Sequence, residues 1–210
     1  MALALAAPGA ALAHPHIFVD AGVEVRFDDG GRVAALRIVW VYDDFTSMLI
    51  LGDLGLAPGP GDRLDAAALA RLRGFDMNWQ PGFAGDAEVT AGDAPVALGP
   101  PVDWTADYVQ GRVVTSHVRA LAAPADPARA PVVIRLFDPT YYTAYTVAAA
   151  PAITGRAACA AEVWGPDLGA ASAMLEAALQ ELAGGDPEAE FPAVGAAFSE
   201  EIRVTCPAPS

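Results

Sequence analysis

The sequence predicts an α+β fold: a mainly antiparallel β-sheet or sandwich, two short helices inserted after the first hairpin, and a C-terminal helix. Three observations predict it. Apolar residues alternate strictly through two adjacent stretches early in the chain, separated by Asp28-Asp29-Gly30-Gly31. A β-rich pattern cut by Pro/Gly loops runs from Phe75 to Val147. Helical spacing marks stretches near 44–73 and 168–183, with one further short turn near 194–198.

The first alternation places Ile17, Val19, Ala21, Val23, Val25 and Phe27 on one face, and the second places Ala34, Leu36, Ile38, Trp40 and Tyr42 there. Asp29-Gly30 suits a two-residue hairpin turn. With Asp28 opposite Gly31, Val25 faces Ala34, Val23 faces Leu36 and Val19 faces Trp40, so the apolar faces coincide. Continued outward, this register sets His16 opposite Asp43 and His14 opposite Phe45.

Asp43 to Leu56 then reads as a short helix with Phe45, Met48, Leu49 and Leu51 apolar, broken by Ala57-Pro58-Gly59-Pro60-Gly61. Leu64 to Arg73 reads as another, with Leu64, Leu69 and Leu72 inward. The better later strands are Arg112 to Leu121, Val132 to Phe137, Tyr142 to Ala148, Ala160 to Trp164 and Ile202 to Cys206. A helix capped by Asp167 runs from Leu168 to Ala183, with Leu168, Ala171, Leu175, Ala178, Leu179 and Leu182 on one face, and Gly184-Gly185 stops it. A short helix around Val194 to Phe198 precedes the last strand.

Composition narrows the function classes. Of 210 residues 54% are hydrophobic, enough for one core in a single β-rich domain spanning 14–210. The formal charge is −14, and all 12 basic residues are arginines that do not cluster. Such a surface repels nucleic acid and anionic membranes and attracts cations. No apolar run reaches the roughly 18 residues of a spanning helix, so direct membrane insertion of the mature domain is not expected.

Met1 to Ala13 reads as a secretory signal, with Ala11 and Ala13 at the small-residue cleavage positions, and implies a periplasmic or secreted protein. Two features depart from the usual pattern: no Lys or Arg precedes the apolar run, and Pro8-Gly9 interrupts it. Cys159 and Cys206 are the only cysteines. An even pair in an exported chain suggests one disulfide, although two free thiols would look the same. A Cys159–Cys206 bond would be worth roughly 3–4 kcal/mol by chain entropy.

Four motifs stand in order: His14-Pro15-His16-Ile17-Phe18-Val19-Asp20, Trp40-Val41-Tyr42-Asp43-Asp44-Phe45, Phe137-Asp138-Pro139-Thr140-Tyr141-Tyr142, and Cys159 with Val204-Thr205-Cys206. Together they resemble the exported bacterial family catalogued as domain of unknown function one thousand and seven. The resemblance implies a periplasmic component of an ABC-type transport system, the label such proteins often carry. Gene neighbours resembling nickel/cobalt exporters imply a link to metal homeostasis and a membrane-transporter partner. Relatives often carry an EF-hand-like loop; the matching segment here is 57–68. Its positions one, three, five and twelve are Ala57, Gly59, Gly61 and Ala68, which supply no side-chain oxygen, so no calcium is expected there.

The candidate chemistry centres on imidazoles. Cleavage after Ala13 would make His14 the first residue, and its amine and ring nitrogen form a chelating bite to which His16 adds a second imidazole. Such ligands suit Cu, Ni, Co or Zn as divalent ions. Pro15 has no N–H, so a site that deprotonates successive backbone amides cannot form. Further ligands would come from Asp43 or His117, with Asp20 and Asp138 orienting the metal-bound rings. The plainer alternatives are an exposed arm for His14 and His16, a surface position for His117, and turn or cap hydrogen bonding for Asp138. Tyr141, Tyr142 and Tyr145 read as core packing or as a ligand-facing patch.

No catalytic triad order, phosphate loop or zinc-protease motif appears, so no catalytic residue is assigned. The leading expectation is a non-enzymatic periplasmic binding or accessory protein for a divalent transition metal. A ligand-free interaction module for a membrane transporter is the alternative. A copper enzyme using His14 in a histidine brace is a third reading, and it requires His117 to approach the other two imidazoles.

Overall fold

The computed structural model describes residues 14–182 and 191–207. The signal-like segment 1–13 and the Gly184-Gly185 helix stop lie outside the described residues. The elements follow the order β1 (Ile17–Phe27), β2 (Val33–Tyr42), α1 (Asp44–Asp53), α2 (Ala66–Leu72), β3 (Ala87–Ala91), β4 (Ala94–Pro95), β5 (Val102–Val109) and β6 (Arg112–Ala125). They continue with β7 (Val132–Leu136), β8 (Thr143–Val147), β9 (Ala152–Thr154), β10 (Ala160–Trp164), α3 (Leu168–Glu181), α4 (Gly195–Phe198) and β11 (Glu201–Thr205). The fold is an α+β sandwich of two mostly antiparallel sheets with a few short helices.

The larger sheet has the order β5-β6-β2-β1-β8, and β9 also pairs with β1. Both β8 and β9 run parallel to β1, beside its first and second halves respectively. The smaller sheet has the order β10-β11-β7-β3-β4. Alternation decides what fills the space between them. Val19, Ala21, Val23 and Val25 of β1 and Leu36, Ile38 and Trp40 of β2 meet Val89, Val132, Ile134, Leu136, Ile202 and Val204 of the smaller sheet. A second apolar cluster joins Leu51, Leu56, Leu64 and Leu72 of the helical insertion to Val113 of β6.

The hairpin register differs from the expected one by two residues. Val25 pairs with Leu36, Val23 with Ile38, Ala21 with Trp40 and Val19 with Tyr42. The loop is three residues long and not two: Asp28 N–H donates to the Arg32 carbonyl, and Gly31 takes a left-handed φ of +71°. The Asp28 carboxylate accepts from the Arg32 N–H at 2.9 Å and from its guanidinium, which fixes this turn. A bulge between Arg26 and Phe27 adds the remaining offset. A two-residue slip preserves which residues share a face, so the apolar match holds while the cross-strand neighbours change.

Both insertion helices carry aspartate caps. Asp43 accepts from the Thr46 N–H and Asp65 from the Ala68 N–H, each at 2.8 Å. Asp167 caps α3 in the same way, through the Ala170 N–H at 3.0 Å. Only Ala171 and Leu175 of the expected α3 face are fully buried, and Leu168 is exposed. Cys159 and Cys206 are disulfide-bonded, tying the start of β10 to the end of β11. Among the described residues, no helix is long and apolar enough to cross a membrane.

Candidate functional site

β1 starts beside the segment that leads into β8, and this brings the first histidines to the second tyrosine motif. The backbone N–H groups of His16 and Ile17 both donate to the Tyr142 carbonyl, at 2.9 and 3.2 Å. The His14 and His16 rings lie 5.0 Å apart, centre to centre, in an edge-on arrangement. Tyr142 touches both rings, and Phe191 stacks flat on His14 at 3.8 Å. Both His14 ring nitrogens are buried without a hydrogen-bond partner among the described residues. Buried polar atoms are almost always paired, so an unpaired imidazole beside a second one is a ready pair of nitrogen donors.

The other expected ligands lie elsewhere. Asp43 does not face His16, because the shifted register and the onset of α1 set it opposite Phe18, and His14 is likewise not opposite Phe45. Asp43 N–H donates to the Phe18 carbonyl, and the Phe18 N–H donates back to Asp43 Oδ2, both at 3.0 Å. The same carboxylate accepts from Thr46 N–H and from Thr46 Oγ1 at 2.7 Å. Burial raises the Asp43 pKa, but the hydrogen bonds from Thr46, Phe18 and Phe45 outweigh it and hold the carboxyl below its ordinary value. Asp43 is thus a helix cap that also fastens β1, and its oxygens are engaged.

His117 is neither a surface residue nor near the other imidazoles. It pairs with Ile38, which pairs with Val23, and so lies two strands across and seven residues along from His16, about 25 Å away at the usual rise and spacing of strands. This separation removes the histidine-brace reading. Among the described residues, no group of three or more His, Cys, Asp or Glu side chains is placed to hold a metal ion. Asp20 binds Arg112 at 2.7 Å, and Asp138 accepts from the N–H groups of Thr140 and Thr143 within its own turn. The three tyrosines separate: Tyr141 stacks on Phe198, Tyr145 donates to Asp86, and Tyr142 alone meets the histidines.

His117 belongs instead to a buried polar cluster that the sequence did not announce. Its ring packs edge-on to Trp40 and Trp79, and neither nitrogen has a partner among the described residues. Burial, with the Arg119 charge nearby, pulls its pKa down to about 4, so the ring is neutral. Arg119 donates to the carbonyls of Gly99, Ala84 and Leu98 and lies over Trp79. Asp76 accepts from Tyr42 and Thr115, while its other oxygen is unpaired among the described residues. Asp86 accepts from Tyr145 at 2.7 Å, and burial pushes its pKa up to about 6. Asp76, Trp79 and Asp86 come from the irregular segment between α2 and β3, where no periodicity marks which side chains turn inward. Phe191 left no signal either, because it meets His14 from the far end of the chain.

No curated protein matches the chain. Residues 1–206 match the family described as Protein of unknown function (DUF1007). That span takes in the His14–His16 motif, the Asp43 cap, the Asp138 turn and both cysteines, and the chain belongs to this family of proteins of unknown function.

Proposed function

We propose that this protein binds a divalent transition metal (Cu, Ni, Co or Zn) through His14 and His16, and serves as a periplasmic binding or accessory protein of a metal transport system. One observation carries the reading: His14 holds two buried ring nitrogens without a partner among the described residues, next to a second imidazole. Imidazole is a favoured ligand for these ions, and an unpaired buried nitrogen is compensated when a cation takes its lone pair. Trimming after Ala13 would add the His14 amine as a third nitrogen. Phe191 and Tyr142 pack the His14 ring and restrict its rotation, which lowers the ordering cost of ligation. The disulfide and the acidic surface are consistent with an oxidising compartment and a cationic ligand.

Calorimetric titration of protein beginning at His14 with Cu(II), Ni(II) and Zn(II) tests the proposal. The expected result is one tight site that is lost in His14→Ala and in His16→Ala, weakened when the amine is acetylated, and unaltered in His117→Ala. Absence of binding, or binding that survives both histidine substitutions, overturns it.

A further inference from the structure

Helix α1 is turned with its apolar stripe outward. Phe45, Met48 and Leu49 stand at the spacing that normally faces a core, yet they are 62, 58 and 49% exposed. The buried side is instead Thr46 and Ser47, with Leu51. Directional bonds hold this orientation. Ser47 Oγ accepts from the buried Val113 N–H at 2.9 Å and donates to the Tyr42 carbonyl at 3.3 Å. Thr46 is bound to Asp43 through both its N–H and its hydroxyl. Rolling the helix to bury the stripe would withdraw Ser47 Oγ from β6 and leave the Val113 N–H unpaired. Phe18, 54% exposed, is fastened by its backbone to Asp43 and borders the start of the helix. Exposed apolar side chains gathered on one helix face and rimmed by polar groups mark an interaction surface.

The rim is acidic. Asp44 at the start of α1 has a side chain 89% exposed, Asp53 at its end is exposed, and the helix has no basic residue. The nearest guanidinium groups are committed: Arg112 to Asp20 and the carbonyls of Val41 and Tyr42, reaching Asp44 only at 3.9 Å, and Arg71 to the Leu54 carbonyl. We propose that α1, with Phe18, docks into an apolar groove on a second protein whose border carries Arg or Lys. Phe45, Met48 and Leu49 would fill the groove, and Asp44 and Asp53 would meet the basic border. Charge selects this occupant. An anionic bilayer, or another copy of a chain with formal charge −14, would bring like charges together. The inference stands independently of the metal reading.

The test places the photo-crosslinker p-benzoylphenylalanine at position 45 in the full chain, in cells that naturally make it, with position 168 on the exposed side of α3 as control. The expected result is one heterologous adduct from position 45 and none from position 168. The crosslinked peptide should map to an apolar groove bordered by Lys or Arg. The yield should fall several-fold in Asp44→Arg/Asp53→Arg protein, whose unchanged urea unfolding shows that it is folded. The proposal is overturned by equal labelling from both positions, by no adduct, by a yield indifferent to charge reversal, or by a homodimeric adduct. Binding of the purified protein to phosphatidylglycerol vesicles through α1 overturns it as well.

Discussion

Asp86 and His117 set opposite pH dependences within one buried region. Burial raises the Asp86 pKa from 3.8 to about 6, against the Tyr145 hydrogen bond and with help from the Asp138 charge. The folded chain therefore holds this proton more tightly than the unfolded chain, and the contribution favours folding as pH falls from about 6 toward 3.8. His117 works the other way. Its folded pKa, about 4, lies below the ordinary 6.5, so the unfolded chain takes the proton first and stability is lost as pH falls through that interval. Each contribution is on the order of 3 kcal/mol, and over the shared window they offset one another. Asp86→Asn keeps an acceptor for Tyr145 and removes one side of the balance. Urea midpoints should show this variant more stable than the parent at neutral pH and losing stability steadily through the acid window. His117→Phe, which keeps an aromatic ring between the two tryptophans and removes the titrating group, should instead gain stability as pH falls across that window. Parallel pH profiles for both variants and the parent would contradict this account.

At the scale of the element, α1 is held by polar contacts from Thr46 and Ser47 together with the buried Leu51. Ser47→Ala removes the acceptor for the buried Val113 N–H and should cost about 1–3 kcal/mol in a denaturation experiment, far more than an ordinary exposed Ser→Ala change. The helix itself was legible from its apolar spacing and from Ala57-Pro58-Gly59-Pro60-Gly61, which breaks it, while the Asp43 cap emerged only from the structure. Its inward face was not legible, because that face depends on a backbone N–H of β6 distant in sequence. The first hairpin teaches a related lesson. Alternation identified both strands and which residues share a face, but a pattern of period two cannot distinguish registers two residues apart. The choice rests on the Asp28 carboxylate and the left-handed Gly31. The consequence for the site was direct, because the slip moved Asp43 away from His16. On β6 the periodicity was visible and its polarity misled: Thr115, His117 and Arg119 face inward because the α2–β3 segment supplies Asp76, Trp79 and the Ala84 carbonyl to meet them.

Across the whole molecule, the two sheets differ in how they are secured. The smaller sheet carries the disulfide between β10 and β11, with 47 residues of sequence separation. Reduction, or Cys159→Ser/Cys206→Ser, should lower unfolding stability by about 3–4 kcal/mol, read as a shift in the urea midpoint. An unchanged midpoint would mean that β11 is held by its neighbours alone. The larger sheet has no covalent tie, and its β1 is an interior strand whose neighbours on one side, β8 and β9, are parallel to it. During synthesis the earliest stretch of the domain waits with a bare flank until the Thr143–Val147 region emerges. Non-local closure of this kind is slow. A polypeptide that cannot finish its first sheet until late leaves the open edge of its earliest strand exposed to wrong pairing for longer.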